Sequence, residues 1–415
     1  LTAGFRDLKL EWVFHRDGIA MAEITICAVI CALVFWSTGQ KWAEKFYSVV
    51  PSVILIYYLP TLASTAGLLP SQSPAYDWMR DWLLPFSLFI LMVTTDIPAV
   101  LGIGRKAILM MLTGTLGIML GGPVALFIFH AWLPEDAWKT LAALSGSWIG
   151  GGGNFAAIKE AVGASDSMVG PIIIVDTAVG YSWTGVLLFL SRHKKWFNRI
   201  NRSSDMELEE LNRRFSRHEE QRRKPSSVSD ILGVLAIGLL GVLLCGTLGN
   251  RLDSLVGPVL HANAPDLAAV FSSFTWMVIL ITTLGIALSF TPLRRAGGRG
   301  GTSMAYAALY LFLASLGAKA DISGLLEAPV LLLVGITWIL VHILVLFLGA
   351  WIFRAPLFLV AVGSQANIGG VATAPIVAAA YYESLAPIGV LMGIVGYLIG
   401  NYAGLVTAYL LKLVA

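Results

Sequence analysis

Charge is scarce in this chain. Only 13% of its 415 residues are Asp, Glu, Lys or Arg, against about 25% in a typical soluble domain. Of the 28 basic and 25 acidic residues, 11 and 6 fall in the single stretch 192–224, which leaves the rest barer still. A chain that is 57% apolar cannot cover itself with a water-facing surface on so few charges. Cysteine is nearly absent. Cys27, Cys31 and Cys245 each sit inside an apolar run. That excludes a disulfide framework or a thiolate metal site and leaves them as small packing residues. No His, Asp or Glu cluster has ligand spacing, so neither a metal beyond Na⁺ nor an organic cofactor is expected. Strict apolar–polar alternation is missing too, which excludes an outer-membrane barrel. Outside 192–224 the chain is near neutral, so no nucleic-acid partner is expected. The basic loop reads instead as a cytoplasmic topology determinant. The start of the chain shows no cleavable signal peptide.

What the sequence has is long apolar runs. Stretches 231–248 and 330–353 carry no Asp, Glu, Lys or Arg, and 169–190 carries only Asp176. Each is long enough to cross about 30 Å of hydrocarbon as a helix. Twelve apolar segments stand at about 19–37, 48–69, 82–102, 107–132, 140–163, 168–190, 230–249, 267–290, 303–320, 328–353, 357–381 and 385–411. The expected fold is an all-α integral membrane protein in a multi-pass inner-membrane setting, with the lipid bilayer as its surroundings. The charged loop 192–228 separates six segments from six, giving halves 1–191 and 229–415.

The halves share motifs in the same order. LPFSLFILMVTTDIPAVL and LYLFLASLGAKADISGLL both end in Asp-Ile, at Asp96-Ile97 and Asp321-Ile322. GSWIGGGGNFAA (146–157) and GSQANIGGVATA (363–374) share Gly-Ser and Ile-Gly-Gly across a two-residue gap, with Asn154 opposite Thr373. Val-Gly-Tyr recurs at 179–181 and 395–397. Ordered matches at corresponding positions point to an internal duplication.

Two segments, 140–163 and 357–381, place glycines and polar side chains where a plain span would be apolar. Four consecutive glycines, 150–153, disfavour a helix interior by about 1 kcal/mol each relative to Ala. In lipid, the freed backbone groups must be buried in protein or line a wet cavity. The segments are therefore re-entrant hairpins or broken crossing helices. Hairpins leave about ten true spans, five per half, and invert the halves; crossing helices make them parallel. Hairpins are the favoured expectation, mainly because inverted repeats with discontinuous helices are a recurring transporter design; Lys41, Lys45, Arg105 and Lys106 then also become cytoplasmic, at the cost of Arg6, Lys9 and Arg16 outside.

GSWIGGGGNFAAIKEA and GSQANIGGVATAPIVAAA resemble the paired motifs of a polytopic family, domain of unknown function 819, over about residues 19–411. That family is grouped with the cation:proton antiporter and anion transporter superfamily, which includes sodium–bile acid, sodium–glutamate and sodium–citrate transporters. The resemblance implies inverted repeats and an elevator mechanism, in which a domain carrying both discontinuous elements slides against a scaffold. A homodimer is a further expectation at that level.

Half-helix N-termini present unpaired N–H groups that suit carboxylates, and unwound carbonyls suit Na⁺. Ser147, Gly152, Gly153, Asn154, Ser364, Gln365, Asn367 and Thr373 are the candidate solute ligands there; the alternative is that these side chains only cap broken helix ends. Asp176 is the candidate coupling group, with Asn154 and Asn367 beside the cation. The alternative for Asp176 is a structural pair with a buried base or with helix-end N–H groups. Lys159 and Glu160 are expected to snorkel at the outer end of the first element. Asp96 and Asp321 are read as helix caps or an ion entrance, and Lys319 as a partner of Asp321. His342 is read as an inter-helix hydrogen-bonding group, with proton relay as the alternative. Asn401 and Tyr181 face undetermined directions.

The leading expectation is a secondary transporter of a small, anionic organic solute, driven by Na⁺ or H⁺. The nearest alternative is a cation:proton antiporter, which would want carboxylates where Asn154 and Asn367 stand. An intramembrane enzyme is the alternative of another class, but no enzyme is expected, because no Ser/His or paired-Asp arrangement occurs and GGGGN lacks the Lys-Ser/Thr ending of a phosphate loop. A channel or a sensor is the remaining alternative.

Overall fold

The computed structural model describes residues 16–47, 52–97, 100, 102–203, 227–319, 328–382 and 385–415. Among them every regular element is a helix. The principal helices are α1 (Arg16–Thr38), α2 (Ser52–Thr65), α3 (Leu84–Val93), α4 (Arg105–Phe129), α5 (Ala137–Gly150), α6 (Gly152–Val162), α7 (Val169–Leu190) and α8 (Lys194–Ile200). The second half supplies α9 (Val228–Asn263), α10 (Ser273–Ser289), α11 (Gly301–Lys319), α12 (Ala328–Phe353), α13 (Leu357–Ile368), α14 (Gly370–Tyr381) and α15 (Ala386–Lys412). Among the described residues, seven helical stretches are long and apolar enough to cross a membrane. The three cysteines are free and buried, as their apolar surroundings require.

Local chemistry sets several boundaries. Ser227 and Asp230 form a reciprocal capping box that starts α9, satisfying two otherwise orphaned N–H groups. Pro85 follows a π-helical turn, Met79–Leu83, which is how a helix absorbs a missing donor without ending. Gly163 closes α6 in the left-handed region, where a side chain would be strained.

The helices pack in two groups. One contains α1, α2, α3, α9, α10 and α11; the other contains α4–α7 and α12–α15. Neither group is one half of the sequence. In the first, α2 packs on α11 and α10 packs on α3, so each half's second helix meets the other half's third. In the second, α4 and α12 form a tight pair. Their closeness follows from small residues: a Cβ on Gly117 would stand 2.9 Å from His342 Cα, and one on Gly122 would stand 2.6 Å from Trp338 Cζ2. Small faces of this kind let helices approach in lipid, where there is no hydrophobic drive to pack. Trp338 then donates to Ile118 O at 2.7 Å.

Helix α15 decides the shape of the glycine-rich elements. A Cβ on Gly400 would stand 3.2 Å from Gly150 Cα and 2.8 Å from Asn154 Cγ. One on Gly404 would stand 3.6 Å from Gly146 Cα and 2.8 Å from Ile158 Cγ1. So α5 runs antiparallel to α15 while α6 runs parallel to it, over the same stretch. A straight helix would separate residues 146 and 158 by about 18 Å, at 1.5 Å per residue. The second element behaves alike. Gly363 and Ala366 approach Met392 and Gly396 as α13 runs parallel to α15, and Gly370 and Ala374 approach Gly393 and Gly389 as α14 returns. Both elements are hairpins rather than crossing helices. They reach α15 from opposite ends and meet tip to tip near Gly396 and Tyr397. A Cβ on Gly370 would lie 4.0 Å from Gly150 O.

One sequence expectation needs correction. Lys159 does not snorkel: it is 3% exposed and pairs with Glu160 at 2.8 Å and with Asp166. The turn after α6 folds back and brings Asp166 onto it, so the ammonium finds carboxylates inside the protein. Lys319 pairs with Asp166 at 2.9 Å, so it joins the same cluster; Asp321 lies outside the described residues. Asp96 faces Arg294 at 3.7 Å.

Candidate functional site

Where the hairpin tips meet, they border a cavity of about 250 Å³ between the two helix groups. The first tip supplies Ser147, the run Gly151–Gly152–Gly153–Asn154 and Phe155; the second supplies Gln365, Ile368, Gly369 and Thr373. Helix α7 adds Asp176, Thr177, Gly180 and Thr184, and α15 adds Tyr397. The opposite wall comes from the other helix group: Leu88, Leu91 and Met92 of α3, and Tyr306, Leu309, Tyr310 and Leu313 of α11.

The first tip turns at Gly151, with φ +91°, a conformation that only glycine adopts without strain. Gly151 N–H still closes on Ser147 O at 2.7 Å, and the next helix begins with Phe155 N–H on Gly151 O at 3.0 Å. The N–H groups of Gly152, Gly153 and Asn154 therefore belong to the first turn of α6, which has no carbonyl behind it. They border the cavity with the positive end of the α6 dipole. At the second tip, Gly370 has φ +57°. Tyr397 stands beside both turns: its hydroxyl would lie 3.6 Å from a Cβ on Gly151 and 3.8 Å from one on Gly370.

Among the described residues, Asp176 is the one charged side chain lining the cavity. Its carboxylate accepts from Ser147 Oγ at 2.7 Å and from Trp148 Nε1 at 2.7 Å. Among the described residues it has no basic partner within 4 Å. Two neutral donors fix its orientation and leave its charge uncompensated, so a cation would be attracted to this point.

The remaining sequence candidates divide. Gln365 lines the cavity, accepting from Thr184 at 3.1 Å and donating to Thr373 Oγ1. Asn154 borders it, but its amide is held by Asn401 of α15 at 2.9 Å, and Asn401 donates onward to Thr282 at 2.8 Å. Ser364 and Asn367 are placed behind the second hairpin, outside the lining. Asn367 accepts from Thr115 at 2.8 Å and donates to Gly363 O at 2.9 Å. Ser364 accepts from Trp183 Nε1 at 2.8 Å and contacts His342 Nε2 at 2.8 Å. His342 Nδ1 faces Gly114 O at 2.9 Å. A carbonyl only accepts, so Nδ1 carries the proton and Nε2 accepts from Ser364. This chain of neutral groups is complete, and it ties α4, α7, α12 and α13 together.

Sequence reasoning missed Trp148, Thr177, Thr184, Tyr306 and Tyr310. Trp148 is adjacent to a named serine, and its indole N–H was the available signal. The tyrosines read as interface anchors because aromatic residues are common at membrane surfaces.

A family model described as "Protein of unknown function (DUF819)" matches residues 25–414. The chain belongs to the DUF819 family. Among curated proteins, this DUF819 chain is 26% identical over 377 residues to the "Uncharacterized membrane protein YjcL" of Bacillus subtilis (strain 168). The match covers 89% of the chain and 91% of that relative. The relative and the apolar helices support a multi-pass membrane protein.

Proposed function

We propose that this DUF819 protein is a secondary active transporter that moves a small organic anion together with Na⁺ or H⁺. One observation carries the reading: two hairpins from opposite ends of α15 meet tip to tip at a cavity where, among the described residues, Asp176 is the single charge and has no basic partner. Discontinuous elements of this kind put helix-end dipoles and free backbone groups at mid-membrane, where a solute and its coupling ion bind together. The α6 N-terminus suits the anion. Asp176, with carbonyls of the tips, suits the cation.

Three further points support this reading. The Gly-Ser and Val-Gly-Tyr motifs sit on corresponding helices of the two halves, and the hairpins run in opposite senses, which fits inverted repeats with about ten spans and two re-entrant elements. The cavity lies between two helix groups, with the polar tips in one and an apolar wall in the other. That division fits an elevator, with α4–α7 and α12–α15 moving against a scaffold of α1–α3 and α9–α11. Such a scaffold also offers a surface for a homodimer. In this reading the loop 192–228 is cytoplasmic and the protein resides in the inner membrane.

A cation:proton antiporter is the second reading, favoured by the same uncompensated Asp176. Proteoliposomes separate the two. Under an imposed Na⁺ or H⁺ gradient, a panel of organic acids should include one whose uptake follows the gradient and disappears in Asp176→Asn. Cation-for-proton exchange with no acid uptake would refute the symport reading and establish the antiporter.

A further inference from the structure

We infer that the solute is a small monocarboxylate with an apolar body, its carboxylate on the hairpin tips and its body against α3 and α11. The inference rests on the transporter reading and narrows its substrate. The cavity gathers most of its polar groups on the hairpin side; the facing side adds only Ser52 and the phenol hydroxyls of Tyr306 and Tyr310. Hydrogen-bonding groups gather at Gly152–Asn154, Gln365 and Thr373, whereas the facing wall is Leu88, Leu91, Met92, Leu309 and Leu313, with the rings of Tyr306 and Tyr310. Those two rings stack at 6.1 Å with planes 24° apart.

Among the described residues, no Lys, Arg or His lines the cavity. A first carboxylate finds the N–H groups of α6. A second carboxylate, at the far end of the molecule, would lie against leucines with no counter-charge, and burying an unpaired charge is strongly unfavourable. Dicarboxylates and tricarboxylates are therefore excluded by charge. A cavity of about 250 Å³ is of a size to take a short branched or single-ring acid.

The test is a homologous series on the purified full chain in a Na⁺-containing buffer, read by calorimetric titration. Affinity should rise about fourfold per added methylene from propionate through butyrate to valerate, with 3-phenylpropionate binding at least as well as valerate. Glutarate, which has the same five-carbon chain with a second carboxylate, should bind at least tenfold more weakly than valerate. In Leu313→Asn the gain from propionate to valerate should shrink while propionate affinity holds. A flat series, or glutarate binding as tightly as valerate, would overturn the inference and leave the transporter reading standing. Binding of no acid, together with a thermal response to Na⁺ or pH alone, would refute the transporter reading and this inference with it.

Discussion

Replacing Gly396 by Ala places one methyl group where both hairpins touch α15. Its Cβ would collide with Ile149 O of the first hairpin, stand 3.0 Å from Met111 Cε and stand 3.3 Å from Ala366 O of the second hairpin. Two of those three neighbours are backbone carbonyls, so relief requires moving a hairpin rather than rotating a side chain. Overpacking of this kind costs about 1–3 kcal/mol. Gly185 on α7 is the matched control, because a Cβ there meets nothing within 4 Å. Both substitutions exchange Gly for Ala inside a helix and gain the same 0.5–1 kcal/mol or so of propensity. The difference between them isolates the packing cost, about 1–3 kcal/mol against Gly396→Ala. Thermal unfolding of the two purified variants measures it. Gly185→Ala should match or exceed the wild type, and Gly396→Ala should melt lower. Equal melting temperatures would refute the claim that both hairpins seat on α15 through backbone contact.

Three other outcomes follow from the buried polar groups. Lys159→Met leaves Glu160 and Asp166 without their buried ammonium and should cost about 3–5 kcal/mol in chemical unfolding. Lys319→Met should cost about 1 kcal/mol or less, because that side chain is 22% exposed; similar losses in the two would contradict the placement. His342→Phe removes the second hydrogen bond to Gly114 O and leaves the Ser364 hydroxyl without its acceptor, at about 1–3 kcal/mol for the group left unpaired. A melting temperature unchanged at neutral pH would argue against that network. Asp176→Asn should fold with near-native stability, since its amide oxygen still accepts from Ser147 or Trp148; aggregation or a melting loss as large as that of Lys159→Met would mark Asp176 as structural.

Much of this architecture was legible because the bilayer constrains sequence so strongly. Uncharged runs of helix length admit one structure in lipid, and four glycines interrupting such a run can only mark a break. The Gly-Ser and Ile-Gly-Gly matches located both hairpins. Side-chain direction was not legible. In Ser364-Gln365-Ala366-Asn367 each successive residue turns by about 100° around the helix, so one polar patch in sequence becomes three directions in space. Gln365 borders the cavity, while Ser364 and Asn367 turn back toward α4, α7 and α12. Lys159 was misread for a related reason. Its partner Asp166 is seven residues downstream, beyond a turn at Gly163 that spacing alone does not reveal. The apolar wall of α3 and α11 was equally hidden, because leucines that face a solute and leucines that face lipid look the same in a sequence.

The central claim is that Asp176 brings a cation into the cavity where the hairpin tips meet. Ligands that bind only the folded protein stabilise it, by about 2.7 kcal/mol at one hundred times the dissociation constant. The direct measurement is the thermal stability of wild type and Asp176→Asn across a Na⁺ titration at constant ionic strength and a pH titration. The account predicts that wild type responds to Na⁺ or to protons in a saturable way, and that Asp176→Asn folds but loses that response. A variant that folds and keeps the full wild-type response to both would contradict it.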